Sequence, residues 1–266
     1  MALINVDFFS QSLSRMTSFK MLLPNDLPDV LKIGSERHYQ RETKTLYLLH
    51  GYSCHNIDWL LNSAITLLSG KYNLAVVFPS GENSFYVDGK GTGKAYGQYI
   101  GDELVDYTRK VFGLSACAED TFIGGLSMGG FGALRNALRY NHTFGKAFAL
   151  SSALIIHNIE NMQENMKDVI ADYDYYHAVF GDLTKLDDSD ANPEYLVKNI
   201  LRGNDTIPEL YMACGKNDFL IEENRAFKAF LDAQNVPVKY TESAGVHDWL
   251  FWNEYLEPSI QWLLGE

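Results

Sequence analysis

Three residues that could work as one catalytic unit stand in a fixed order along the chain: Ser127, Asp218 and His247. A serine hydroxyl is a weak nucleophile until a histidine removes its proton. A carboxylate then holds the histidine in the required tautomer and stabilises the imidazolium that forms. The order Ser, acid, His is the one found where successive strands of one sheet deliver the three groups to a common edge. Ser127 lies in Gly125-Leu-Ser-Met-Gly129. This G-x-S-x-G pattern seats a serine on a sharp turn between a strand and a helix, with its oxygen pointing out of the sheet. By composition alone it arises in roughly one chain of this size in ten. The serine therefore needs its partners, and the partners need elements to hold them.

Those elements are legible as short apolar runs bounded by turn residues. Thr121 to Gly124 reads as a buried strand and Gly130 to Tyr140 as the helix after the turn. Ile4–Phe9 and Ser18–Leu23 read as an antiparallel edge, and Thr45–Leu49, Leu74–Phe78 and Lys146–Ser151 as further strands. Glu209–Cys214 and Val238–Glu242 are the strands preceding Asp218 and His247. Helices are expected over Asp58–Leu68, Ala95–Phe112, Ile221–Gln234 and Trp249–Leu264. On the second of these, Asp102, Glu103 and Asp106 read as a solvated face. Strands alternating with helices indicate an α/β fold with a mostly parallel sheet and helices on both sides. No repeat or low-complexity linker divides residues 1–266, so one domain is expected. Ala153–Pro208 is the least regular stretch and reads as a cap-like insertion between two late strands, partly covering the site.

An acyl-transfer site also needs two fixed dipoles for the tetrahedral oxygen. One is the amide after the nucleophile, Met128. The other comes from the loop after an earlier strand, here His50-Gly51-Tyr52, which assigns the Tyr52 amide. Phe85 and Tyr86 follow the C-terminal end of a strand, where open sheets bind ligands, and are expected to line the substrate pocket. Trp249, directly after the catalytic loop, is expected there too, whereas Trp59 is expected to pack. Asp205 is the rival acid, but it precedes its strand instead of following it. His38, His55 and His142 read as surface residues, and His157 and His177 precede the acid in sequence. Gly89-Lys-Gly-Thr-Gly-Lys94 fails as a phosphate loop, because Asp88 and Ala95 stand where glycine and Ser or Thr are needed.

Composition narrows the partners. A net charge of −12 and the lack of a basic cluster argue against nucleic acid and anionic membranes. No apolar run approaches the roughly 18 residues of a membrane span, and the first 24 residues lack the layout of a signal peptide. Cys54, Cys117 and Cys214 are few and scattered, as expected of reduced thiols in the cytoplasm. Among the acids of Ala153–Pro208, His157 and His177 show no helical ligand spacing, so no metal is expected there. An aromatic content of 13% leaves room for the contact patch of a homo-oligomer.

Taken together, Leu48-Leu-His-Gly51, Phe85-Tyr86-x-Asp88, Gly124-Gly-Leu-Ser-Met-Gly-Gly130, Cys214-Gly-x-x-Asp218 and Gly245-x-His247-x-Trp249 resemble the esterase D branch of the α/β-hydrolases, and most of all its bacterial tributyrin esterases. The resemblance runs from residue 45 to the end. It implies a serine carboxylesterase for short acyl esters that needs no cofactor, with Ser127, Asp218 and His247 as triad and Tyr52 with Met128 as oxyanion hole. The same branch includes S-formylglutathione hydrolases, feruloyl and acetyl-xylan esterases and secreted mycolyltransferases, so a thioesterase is the near alternative. A non-catalytic binding protein on the same fold is the distant one. Phe85 stands where relatives often carry tryptophan, and Tyr52-Ser-Cys-His55 where they often carry a smaller residue followed by Ser-Gly-Asn. Both departures bear on acyl length.

Overall fold

Eight runs of the chain form strands: β1 (Ala2–Ser10), β2 (Arg15–Leu23), β3 (Lys44–Leu49), β4 (Leu74–Pro79), β5 (Thr121–Leu126), β6 (Lys146–Leu150), β7 (Glu209–Gly215) and β8 (Val238–Ser243). The computed structural model describes residues 1–266. The strands make one sheet in the order β1-β2-β4-β3-β5-β6-β7-β8. β1 pairs antiparallel with β2, and β2 antiparallel with β4. All the other pairings are parallel. This is the expected α/β-hydrolase arrangement.

Alternation along a strand decides which side each residue serves. On β3, Tyr47 and Leu49 enter one buried cluster, and Leu46 and Leu48 enter the other. Both faces of the central strands are covered, so those strands read as unbroken apolar runs and not as alternating ones. The larger cluster takes Phe131 and Leu134 from the helix Met128–Arg139, Val197 from Pro193–Arg202 and Phe227 from Ile221–Ala233. The smaller takes Trp59, Ile65 and the inner face of Trp249–Leu263, including Trp252, Leu256 and Ile260.

Two helices differ from expectation. The run expected over Asp58–Leu68 is split into Asp58–Asn62 and Ile65–Lys71. Ser63 sits at the break, its hydroxyl donating to the Trp59 carbonyl at 2.6 Å and accepting from the Ile65 N–H. A serine side chain that competes for backbone groups in this way favours leaving the helix. The run expected over Ala95–Phe112 is helical but contains a π-type turn at Tyr99–Glu103. Asp102 and Asp106 are exposed as expected. Glu103 is not part of a solvated face: it accepts the Ser10 hydroxyl at 2.6 Å and the Gln11 and Ser12 N–H groups at the β1–β2 turn.

Between β6 and β7, residues 153–208 hold three helices, Ile156–Ile159, Tyr173–Phe180 and Pro193–Arg202. Asp172 caps the second through the Tyr175 N–H, and Asn192 caps the third through the Glu194 N–H. Ile156, Tyr176, Leu183 and Val197 from this stretch pack into the same buried cluster as the sheet.

Candidate active site

β5 ends at Leu126 and a helix begins at Met128, leaving Ser127 alone at the junction. Its backbone is at φ 54°, ψ −120°, a region that costs a residue with a side chain roughly 1–3 kcal/mol. Two hydrogen bonds hold it there: Ser127 N–H donates to the Leu150 carbonyl at 2.9 Å, and Ala153 N–H donates to the Ser127 carbonyl at 3.0 Å. Gly129 explains the spacing of the motif. A Cβ at this position would stand 2.4 Å from the Leu49 carbonyl oxygen and 2.6 Å from that of His50. Only glycine lets the start of the helix lie against the end of β3.

That approach sets the start of the helix beside the loop that follows β3, and each carries a backbone N–H without an acceptor in the chain. Met128 is the first residue of its helix, where no carbonyl lies one turn back to accept its N–H. Tyr52 N–H, two residues past the end of the β3 extension at His50, has no protein acceptor. His50 itself is buried and structural. Gly81 N–H donates to its Nε2 at 2.9 Å, so the proton sits on Nδ1, which donates to the Gly51 carbonyl at 2.8 Å. Burial pushes its pKa below the usual histidine value.

Asp218 lies just past β7 and His247 just past β8. The two loops are stitched together, Lys216 N–H donating to the Ser243 carbonyl and Asn217 N–H to the Gly245 carbonyl. The Asp218 side chain is fully buried. Burial pushes its carboxyl up, but hydrogen bonding and charge from His247, the Leu220 N–H and the Ser151 hydroxyl outweigh that and hold it below the usual aspartate value. An ionised carboxylate only accepts. His247 Nδ1–H therefore donates to Asp218, at 2.9 Å to Oδ2 and 3.1 Å to Oδ1. This leaves Nε2 free to accept the Ser127 hydroxyl at 3.0 Å. The imidazole is held between Phe219, 4.6 Å away, and the edge of Trp252, 5.0 Å away. Asp248, next to the histidine, caps the closing helix through the Phe251 N–H.

The remaining expected site residues are placed differently. Phe85 and Tyr86 do not line a pocket: both are buried, at 1% and 0% exposure. Both have positive φ, 50° and 55°, which turns their side chains back into the core. Tyr86 donates its hydroxyl to the His50 carbonyl at 2.9 Å and supports the Tyr52 loop from behind. Trp249 is half-buried, edge-on to Trp59 and to Trp252. Trp59 packs as expected, its indole N–H donating to the Leu49 carbonyl. The rival Asp205 pairs with His142 on the surface. His157 pairs with Glu160, Asp187 and Glu194. His38, read as a surface residue, is buried at 5% exposure against Tyr72. A cavity of about 510 Å³ lies beyond Asn83 and Ser84, lined also by Arg15, Glu82 and Lys94, and Ser127 is not part of its wall.

Four contributors carried no signal in the sequence. Tyr175 donates its hydroxyl to the Asn83 carbonyl at 2.6 Å, and Asn83 Oδ1 accepts the Ser53 N–H at 2.7 Å. Ser151 and Trp252 meet beside Asp218.

The arrangement can polarise a hydroxyl, accept its proton and stabilise an oxyanion. The family described as "Putative esterase" matches residues 10–263. An acetyl esterase of Caldicellulosiruptor saccharolyticus is 44% identical over 99% of this chain and 98% of its own length. The fluorophosphonate-binding serine hydrolase F of Staphylococcus aureus superposes with a TM-score of 0.84 at 27% identity, covering 100% of this chain and 99% of that one. The S-formylglutathione hydrolase of the same organism gives 0.82 at 28% identity, covering 99% and 98%. With that sheet, that junction and these relatives, the chain belongs to the "Putative esterase" family and is a serine esterase of the α/β-hydrolase fold.

Proposed function

We propose that the chain hydrolyses short-chain carboxylic esters, acetyl esters foremost, through an acyl-enzyme on Ser127. The observation that carries this reading is the unbroken line from Ser127 Oγ to His247 Nε2 and from His247 Nδ1 to Asp218, every link at 3.1 Å or less. His247 takes the Ser127 proton as Oγ bonds to the ester carbonyl carbon. The oxygen that becomes negative is met by the Tyr52 and Met128 N–H groups. When the tetrahedral adduct collapses, the C–O bond to the alcohol breaks and His247 hands the alcohol its proton. A water molecule then repeats the sequence and releases the acid. Asp218 keeps the imidazole oriented and stabilises its charged form. The step uses no cofactor.

The name of the 44% identical relative supports the acetyl preference. A second reading, hydrolysis of a thioester, is favoured by the 28% identical S-formylglutathione hydrolase. The same apparatus would cleave either bond. We further read the chain as a single domain with 153–208 as a cap, acting on a small ester in the cytoplasm. The reach of Tyr175 over the Tyr52 loop supports the cap, and the three unpaired cysteines support a reducing compartment.

The test is turnover of p-nitrophenyl esters from acetate to octanoate, with Ser127→Ala as the blank. Acetate and butyrate are expected to turn over fastest, and the variant to be inactive. Activity surviving the substitution sinks the role of Ser127. A kcat/KM for S-formylglutathione well above that for aryl acetate moves the assignment to the thioester.

A further inference from the structure

Ser151 follows the last residue of β6 and is buried at 0% exposure. Its φ is 47°, an unfavourable value for serine, so the surroundings must impose it. Three observations show what those surroundings are. The segment around Ser151 clamps the backbone of Ser127 from both sides, through the Leu150 carbonyl and the Ala153 N–H. Ser151 N–H donates to the Ala213 carbonyl of β7 at 2.8 Å, which fixes it to the strand that leads to Asp218. Trp252 donates its indole N–H to Ser151 Oγ at 3.1 Å, and the same indole presents its edge to His247. The residues on either side of Ser151 thus hold the nucleophile, its own N–H holds the strand that leads to the acid, and its side chain holds the indole that packs on the base.

The hydroxyl has one proton to give. Trp252 supplies a donor to its oxygen, so the proton must go elsewhere. The titratable groups facing it are Asp218 and, on β7, Cys214. Cys214 faces Glu242 and Tyr240 of β8 beyond, and Glu242 is engaged by Arg225. His247 faces Asp218 from the β8 loop. A buried carboxylate is a far better acceptor than a thiol.

Resting on the triad reading above, we propose that Ser151 is a positioning residue for the reaction: held by Trp252, it donates its hydroxyl proton to Asp218 and sets how strongly that carboxylate pulls on His247. Three donors then surround Asp218: the His247 ring, the Leu220 N–H and the Ser151 hydroxyl. Removing one concentrates the negative charge on the bond to His247. The imidazolium becomes easier to form, and the orientation of the ring less sharply fixed.

The experiment is the pH profile of kcat/KM for p-nitrophenyl acetate, because its acid limb reports the base of the free enzyme. Ser151→Ala and Ser151→Gly both remove the hydroxyl, and glycine also relieves the backbone, so a folded variant is available whatever alanine does. Both are expected to lower kcat on the order of tenfold and to move the acid limb up by about half a pH unit. Trp252→Phe keeps a ring against His247 but frees the hydroxyl, and should shift the limb the same way by less. An acid limb unmoved in both Ser151 variants overturns the proposal, even if kcat falls, since that pattern is loss of packing alone. Activity in Ser127→Ala would instead overturn the triad reading on which the proposal rests.

Discussion

The rings of Tyr52 and Tyr175 meet edge to face at 5.5 Å, and this contact joins the oxyanion loop to the helix Tyr173–Phe180 in the β6–β7 connection. The Tyr175 hydroxyl adds a second tie through Asn83 to Ser53. An oxyanion donor removed outright costs about 2.7–4 kcal/mol of barrier; one merely loosened costs a fraction. Tyr175→Phe is expected to lower kcat for p-nitrophenyl acetate a few-fold with KM nearly unchanged. Tyr175→Ala, which removes both ties, should cost on the order of tenfold or more. Equal kcat in all three proteins would show that the loop holds its donor unaided.

Ser127 occupies a backbone region that suits glycine. Ser127→Gly should therefore abolish turnover while raising Tm, by relief of about 1 kcal/mol of strain. Ser127→Ala should be equally inactive without the gain. Melting curves of the two variants beside the wild type decide it.

Gly129 is closed to any side chain by the Leu49 and His50 carbonyls. Gly129→Ala must push the helix from β3, at a cost of order 3 kcal/mol, and must separate the Tyr52 and Met128 donors. Loss of kcat together with a lower urea midpoint is expected. A normally stable, fully active variant would contradict the packing described for this junction.

His50 gives a pH dependence with a definite sign. Its folded pKa lies below the ordinary value of 6.5 because it is buried. Between these two values the unfolded chain binds the proton that the folded chain refuses, so stability falls as pH drops below about 6.5. Protonation would also set two donors, His50 Nε2 and Gly81 N–H, against each other. His38, depressed by burial as well, adds to the same loss. Tm measured from pH 7.5 to 5 should decline, and less steeply in His50→Gln.

The Tyr86 hydroxyl supports the His50 carbonyl from inside the core. Tyr86→Phe should destabilise the fold by about 1–2 kcal/mol and leave KM unchanged. A rise in KM at unchanged stability would return Tyr86 to the substrate pocket.

The triad was legible because three separate signals agreed: the motif, the chain order, and a strand before each member. Phe85 and Tyr86 were misread for a physical reason. They follow a strand end, where pockets form, but Gly81 and Gly132 leave the slot that Tyr86 fills; a Cβ on them would lie 2.1 and 2.4 Å from the Tyr86 ring. A slot made by two glycines 51 positions apart, one of them 46 positions from the ring it holds, leaves no periodic trace. The same is true of Ser151 and Trp252, partners 101 residues apart. The split at Ser63 turned on the two hydrogen bonds of a single side chain. Period and composition report which face an element buries, not which pairs will meet.

Strand order also sets a timetable. Ser127 and its elbow are made near the middle of the chain, whereas His247 follows β8 and precedes only the closing helix Trp249–Leu263. A nascent polypeptide that already displays the serine has no base to activate it. Ester cleavage thus waits for β8 and the loop after it, and a chain stopped short of His247 carries the nucleophile without its base.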